Sequence, residues 1–272
     1  MSGYLGTDLV GQESIPLGAR AALLIVHGMA EPRGRYAGAV ERFTANNIAA
    51  FTFDLRGHGQ SPGERADIRT FQDFVDDLQA IRRAINAAHP DLPLFIWAHS
   101  LGSIITIRAV EQDSENLAGV ITSGCPLAAF PRMPSPLRNT VRMLTKPFRG
   151  VHVSPGLPAT DLSHSKVVQD EYVEDPLVPE KVTVRLLVEL ERACRAALEQ
   201  AGGITLPWLA LHGGADNIAP PQGSRQLVDA LGSRDKTLHL FAGMRHEVHN
   251  EIEPTPTDFY GLVVHWIGER AR

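Results

Sequence analysis

A mostly parallel β-sheet flanked by helices, with an inserted helical cap, is the fold the sequence predicts, on three observations. Short apolar runs recur along the chain, each followed by a segment whose apolar residues have helical spacing. That alternation lays helices on both faces of a parallel sheet. The run AALLIVHG, Ala21 to Gly28, is apolar without interruption, which marks a strand buried on both faces. Between residues 125 and 204 the rhythm breaks; an excursion of that length is too large for an ordinary connection and reads as an insertion.

After the first strand a loop leads to a helix beginning near Tyr36, and IAAFTFD, Ile48 to Asp54, is the second strand. It runs into the turn-rich LRGHGQSPG and then a helix whose Phe71, Phe74, Val75, Leu78, Ile81 and Ile85 recur at helical spacing. LFIWAHSLGSIITIRAV, Leu94 to Val110, supplies the third strand and its helix, and LAGVITSG, Leu117 to Gly124, the fourth strand. The excursion is proline-rich at first, PLAAFPRMPSPLRNTVRMLTKPF, and later helix-like, EKVTVRLLVELERACRAALEQAG. TLPWLALHG, Thr205 to Gly213, resumes the pattern; a helix at PQGSRQLVDALG, a strand at KTLHLFAG and a closing helix around DFYGLVVHWIGERAR complete it. The resulting division is a core of residues 1–125 and 204–272 and a cap of residues 126–203.

With 43% hydrophobic and 21% charged residues, the 272-residue chain has the composition of a soluble globular protein. A net charge of -5 provides no basic footprint for nucleic acid. Cys125 and Cys194 have neither metal-site spacing nor the density of a disulfide scaffold, and are expected to be unpaired, partly buried thiols. The opening MSGYLGTDLVGQES lacks a basic region followed by an apolar one, so no signal peptide is read. No apolar run approaches the ~20 residues of a membrane-spanning helix. The expected compartment is the cytoplasm.

The chemistry centres on Ala98-His99-Ser100-Leu101-Gly102. Small residues two places either side of a serine, at the join of a strand and a helix, fit a nucleophile elbow that lifts Oγ clear of the sheet edge. The alternative for Ser100 is a helix N-cap. A serine nucleophile needs a base, and the base an orienting carboxylate. Asp216 lies just past one buried strand, in LALHGGADNIAP, and His246 just past the next, in LHLFAGMRHEVHNE. Both are expected at the sheet edge that carries Ser100. Asp216 could instead serve its own turn, and His249 competes with His246 as base. His265, in an apolar helix, reads as a packed core residue, and His58 as a turn residue bonded locally. The oxyanion donors expected are the backbone N–H of Leu101 and, from the loop HGMAEPRGRY, that of Met29.

Taken in order, HGMAEPRGRY, DLRGHGQSPGER, AHSLG, YVEDPLV, LHGGADNIAP and RHEVHNE resemble the monoacylglycerol lipase and lysophospholipase branch of the α/β-hydrolase superfamily. The resemblance spans nearly the whole chain. It implies the α/β-hydrolase fold, Ser100 as nucleophile with Asp216 and His246 as partners, and Met29 and Leu101 as oxyanion donors. It also implies that Glu31, Arg35 and His249 approach the glycerol end of a substrate, and that Tyr172 reaches toward the pocket from the cap. From the residues alone, Glu31 and Arg35 read equally as a loop ion pair. Ala98 stands where the family usually has glycine, and Pro32 where it often has histidine.

The activity expected is hydrolysis of a small lipid ester, a monoacylglycerol, through an acyl-enzyme, with no metal or organic cofactor. The rivals are a carboxylesterase or lysophospholipase using the same triad, and a ligand-binding protein of the same fold with little turnover. One partner besides substrate is expected: a membrane or micelle surface met transiently by the cap, which would make the protein peripheral. From Pro126 to Gly150 the basic residues Arg132, Arg138, Arg142, Lys146 and Arg149 have no acidic counterpart, and Leu137, Val141 and Leu144 share a helical face near Met143 and Phe148. Packing of that apolar face onto the core is the other reading.

Overall fold

The computed structural model describes residue 5 and residues 7–130, 146–148 and 150–271. Its centre is a seven-stranded sheet, β1 (Gly11–Ser14), β2 (Ala21–Val26), β3 (Ile48–Phe53), β4 (Leu94–His99), β5 (Leu117–Ser123), β8 (Trp208–Gly213) and β9 (Lys236–Phe241). The strand order is β1-β3-β2-β4-β5-β8-β9. Only β1 runs antiparallel to its neighbour. The expected mostly parallel α/β fold is therefore what the chain forms.

Strand periodicity sorts the side chains of the buried strands between two apolar layers. Ala22, Leu24 and Val26 of β2 join Ile96 and Ala98 of β4 on one face, and Leu23 and Ile25 join Phe95 and Trp97 on the other. Helices α2 (Gln72–Ala88), α3 (Leu101–Gln112) and α6 (Val184–Gln200) cover the first face, with α7 (Gln222–Ala230). Helices α1 (Ala37–Thr44) and α8 (Thr255–Arg270) cover the second. Each Leu, Ile or Phe so buried stabilises the fold by roughly 1.5–3 kcal/mol. Two indole N–H groups that enter these layers are paired: Trp97 donates to Ser123 Oγ at 3.0 Å and Trp208 to Thr122 Oγ1 at 3.2 Å.

Three departures from the sequence expectation have physical causes. Strand β1, GQES, carries no strand signal in its sequence, because an edge strand held by backbone pairing (Gly11 opposite Phe53) needs no apolar alternation. The strand expected from Thr205 starts at Trp208; the preceding Pro207 has no N–H for the ladder, and its carbonyl accepts from Val120 at 3.0 Å. His265 is not a core residue. In α8 it lies opposite Val263, Trp266 and Ile267, and its side chain is 73% exposed, 3.5 Å from Glu269. His58 does bond locally, its Nδ1 lying 3.0 Å from Arg56 O.

Within the insertion, β6 (His152–Val153) and β7 (Val182–Thr183) pair as a short ribbon, and between them lie α4 (Ala159–Leu162) and α5 (Lys166–Glu174). Helix α6, which the division at residue 203 counts with the cap, packs its apolar face against the core. Leu186, Leu190, Ala193, Cys194 and Ala197 lie in the same apolar layer as Ile104 and Ile107 of α3. Both cysteines are free and buried, and burial pushes the Cys125 thiol up to about 12. The amphipathic stretch with Leu137, Val141, Met143 and Leu144, and with Arg132, Arg138, Arg142 and Arg149, lies outside the described residues. Among the described residues no helix is long and apolar enough to cross a membrane.

Candidate active site

Ser100 sits between the last residue of β4 and the first of α3, with φ +49° and ψ -117°. A positive φ is unusual for a residue with a Cβ and stores on the order of 1–3 kcal/mol. The surroundings hold it: Ser100 N–H donates to Ser123 O at 2.9 Å, Ser103 N–H to Ser100 O at 2.9 Å, and Ser103 Oγ to Ala98 O at 3.0 Å. Gly102 has no room for a Cβ, which would run into the carbonyls of Val26 and His27, whereas the Ala98 methyl is buried without displacement of β4 from β2. The Ser100 hydroxyl makes no capping bond to α3, so the N-cap alternative is not the one the chain uses.

Asp216 serves its turn and a histidine at once. Its Oδ1 accepts from Ile218 N–H at 2.9 Å and Ala219 N–H at 2.8 Å, while Oδ2 lies 2.7 Å from His246 Nδ1 and 3.0 Å from His212 Nε2. Burial favours the neutral acid, but His246 and His212 outweigh it and hold the carboxyl well below the usual carboxylate range. Burial likewise disfavours the imidazolium of His246, and the Asp216 charge reverses this, so its pKa is raised. A donor bond from Nδ1 to Asp216 leaves the Nε2 lone pair to accept a proton. The His246 ring lies 4.7 Å from that of His99, the neighbour of Ser100. It also borders Gly124, where a Cβ would come within 2.9 Å of its Cε1. Ser100 and His246 therefore converge on the carboxyl ends of β4 and β5.

The loop after β2 is set by His27, whose pKa burial lowers to about 4. The neutral ring accepts Leu55 N–H at Nε2 (2.9 Å) and donates from Nδ1 to Gly28 O (2.7 Å). Gly28 packs against the elbow, since a Cβ on it would stand 3.1 Å from Ser100 Cβ. Met29, half-buried, follows directly, and Leu101 opens α3 on the other side of Ser100.

Glu31, Arg35, Tyr172 and His249 are brought together as one buried cluster, with partners that sequence reasoning missed. Glu31 Oε1 accepts from Gly28 N–H at 2.5 Å and Tyr36 OH at 3.0 Å, and Oε2 lies 3.3 Å from Arg35 Nε. Arg35 also reaches Glu247 Oε2 at 2.5 Å, and its guanidinium lies over the Tyr172 ring, 5.0 Å from the centroid. The ion-pair reading of Glu31 and Arg35 thus holds in this conformation. Burial and the nearby Glu247 charge raise the Glu31 carboxyl, while Arg35 overcomes the effect of burial on Glu247 and lowers it. His249 is 3% exposed, stacked on Tyr36 at 5.4 Å and edge-on to Trp97 at 5.1 Å. Both its ring nitrogens are buried without a hydrogen-bond partner among the described residues, and burial lowers its pKa to about 4. Having no carboxylate at either nitrogen, His249 lacks the orienting partner that His246 has. Among the described residues no group of three or more His, Cys, Asp or Glu side chains is placed to hold a metal ion.

A parallel α/β sheet with a strained elbow serine, and an Asp–His pair on the two loops that follow later strands, defines a serine hydrolase of the α/β-hydrolase fold. The family described as serine aminopeptidase, S33, matches residues 18–253, and the chain belongs to it. It is 31% identical to monoglyceride lipase of Rattus norvegicus over 258 residues, 94% of this chain and 85% of that one. It is 30% identical to monoacylglycerol lipase of Mycolicibacterium smegmatis over 240 residues, 86% of this chain and 84% of that one. Among solved structures, monoacylglycerol lipase of Paleococcus ferrophilus superimposes with a TM-score of 0.86 at 30% identity, covering 97% of this chain and 100% of that chain.

Proposed function

We propose that the protein hydrolyses monoacylglycerols to fatty acid and glycerol, with Ser100 as nucleophile, His246 as general base and acid, and Asp216 as its orienting carboxylate. The observation that carries the reading is the buried Asp216–His246 pair, 2.7 Å between Oδ2 and Nδ1, beside the elbow that holds Ser100 at φ +49°. His246 Nε2 takes the Ser100 proton as Oγ attacks the ester carbonyl, and the N–H groups of Met29 and Leu101 receive the oxyanion. His246 then gives the proton to the departing glycerol oxygen. Water, deprotonated by the same nitrogen, attacks the acyl-enzyme; the Ser100–acyl bond breaks and Oγ recovers the proton. No cofactor takes part in this route. The similarity to monoacylglycerol lipases over most of the chain supports the substrate class.

Glu31, Arg35, Tyr172 and His249 form the polar wall facing the alcohol end, acting as an assembled network. Arg35→Ala is then expected to reduce kcat/KM on a monoacylglycerol roughly 10- to 100-fold more than on an aryl ester, the range of one charged hydrogen bond. The ratio of the two rates cancels the fraction of folded enzyme. Equal losses on both substrates would assign Arg35 to holding Glu31 and Glu247 alone. The parent test compares monoacylglycerols with aryl esters, a lysophospholipid and an aminoacyl anilide: the reading requires the monoacylglycerols to lead, and preference for the anilide would favour the peptidase activity the family description names.

The cap also meets lipid surfaces. Phe148, at 57% exposure, and Val151 lie on or next to the segment with the basic surplus and present apolar side chains to solvent, as do Val167 and Val173 of α5. Co-sedimentation with anionic vesicles is expected at low salt, weakening with added salt and with Leu137→Glu or Arg142→Glu; no binding at low salt would rule the surface contact out.

A further inference from the structure

The loop that carries His246 is held from the side of the insertion. His246 N–H donates to Asp161 O at 3.4 Å and Glu247 N–H to Leu162 O at 2.8 Å. The Arg245 guanidinium reaches Ser163 O at 3.0 Å and the carbonyl of Thr160. Residues 160–163 belong to the insertion between β5 and β8, whereas His246 follows β9, so these bonds join segments that the sheet does not hold together.

Glu251 sits at the seam with no exposed side-chain surface. Its Oε1 accepts from Arg245 N–H at 2.8 Å and lies 2.9 Å from His164 Nδ1. Its Oε2 accepts from His164 N–H at 2.9 Å and Ile252 N–H at 3.2 Å, with Ser163 Oγ 3.4 Å away. One carboxylate thus takes donors from the residue before His246 and from the insertion. If the segments part, donors on one side and acceptor surface on the other lose their partners at a buried site, which is unfavourable.

We infer that Glu251 is a positioning residue: through it, docking of residues 160–165 fixes the backbone path of the loop and so the ring of His246. The inference rests on the reading of His246 as general base. Asp216 fixes one nitrogen of the ring, and the remaining freedom lies in the backbone that Arg245, His246 and Glu247 bond across the seam. Misplacement of a reacting group by ~1 Å lowers a rate by about 10²-fold. The effect belongs in kcat, because Glu251 acts through the base and not on the substrate.

Glu251→Gln replaces one acceptor oxygen with an amide nitrogen that opposes the N–H groups it meets. On a short aryl ester, which has no glycerol to bind, this variant is expected to lose about 10²-fold in kcat with KM within about twofold of wild type. Ser100 labelling by a fluorophosphonate, which needs the same base, should slow in proportion. His164→Ala, at an exposed position, removes the ring contact from the insertion's side and should lose less. The double variant should lose no more than Glu251→Gln alone, since both changes act on one seam. Unchanged kcat in folded Glu251→Gln, a loss carried wholly by KM, or additive losses in the double variant overturn the inference. Should Glu251→Gln not fold, unchanged kcat and labelling rate in His164→Ala overturn it equally. Failure of the underlying reading looks different: His246→Ala would then retain aryl-ester turnover in the otherwise unaltered protein.

Discussion

Ser100→Ala lowers kcat by about 10⁴- to 10⁶-fold, on monoacylglycerol and aryl ester alike, because the members of a serine triad act as a unit. His246→Ala falls in the same range, and the double variant is scarcely worse than either single one. The stability of Ser100→Ala should stay near that of the parent. The hydroxyl makes no capping bond to α3, and the bonds that hold the elbow run through the backbone of Ser100 and through Ser103. Loss of turnover without loss of folding is therefore the expected signature. The checks are single-turnover kinetics on an aryl ester, with calorimetry on the same samples. Ser100→Gly separates the two roles further: it is equally inactive, but relief of the positive φ should raise its melting temperature above that of Ser100→Ala. Near-normal turnover in either variant would remove Ser100 from the chemistry.

The parts of this site that can be read from the sequence are those in which local chain geometry and chemistry coincide. The central strands are legible because burial on both faces demands unbroken apolar runs, and each run ends where the sheet edge presents its loop. Ser100 and Asp216 follow from that rule, each one residue or a few after such a run, whereas His246 follows the edge strand β9, whose KTLHLF alternates polar and apolar residues. Glu247 and Tyr36 stand within or beside motifs that are easily noticed, yet their sequence neighbours do not show that they are buried. Arg35 and Glu247 are 212 residues apart and meet only because α1 and the loop after β9 pack on one side of the sheet. Helix α6 belongs to the same long connection as the cap elements, and nothing in its sequence shows that it packs in one apolar layer with α3. His265 reads as a core residue from its apolar sequence neighbours, but Val263, Trp266 and Ile267 face the core while its own side chain faces solvent.

Asp216→Asn is expected to reduce kcat by about 10⁴-fold, and the arrangement around this side chain says why. Oδ1 already accepts two backbone N–H groups, from Ile218 and Ala219. The amide oxygen of an asparagine must take that place, which turns its NH₂ toward His246 Nδ1 and His212 Nε2. Nδ1 then becomes the acceptor and Nε2 carries the hydrogen, the tautomer that cannot take a proton from Ser100. The pH dependence should change as well. In the parent, burial would lower the pKa of His246 but the Asp216 charge raises it above the ordinary 6.5. The basic form grows with pH, so kcat/KM should climb through a midpoint above that value. In the variant burial remains and the charge is gone, so the midpoint of the residual activity should fall below it. Stability follows the same linkage. The depressed carboxyl stabilises the fold above the ordinary aspartate value of 3.8 and ceases to as pH falls through its native pKa. The raised imidazole stabilises below 6.5 and ceases to as pH rises through its native pKa. The pair thus contributes most between those two values, roughly pH 4–6, and the variant should lose melting temperature chiefly there. An unshifted midpoint, or turnover within about tenfold of the parent, would mean that Asp216 serves its turn alone.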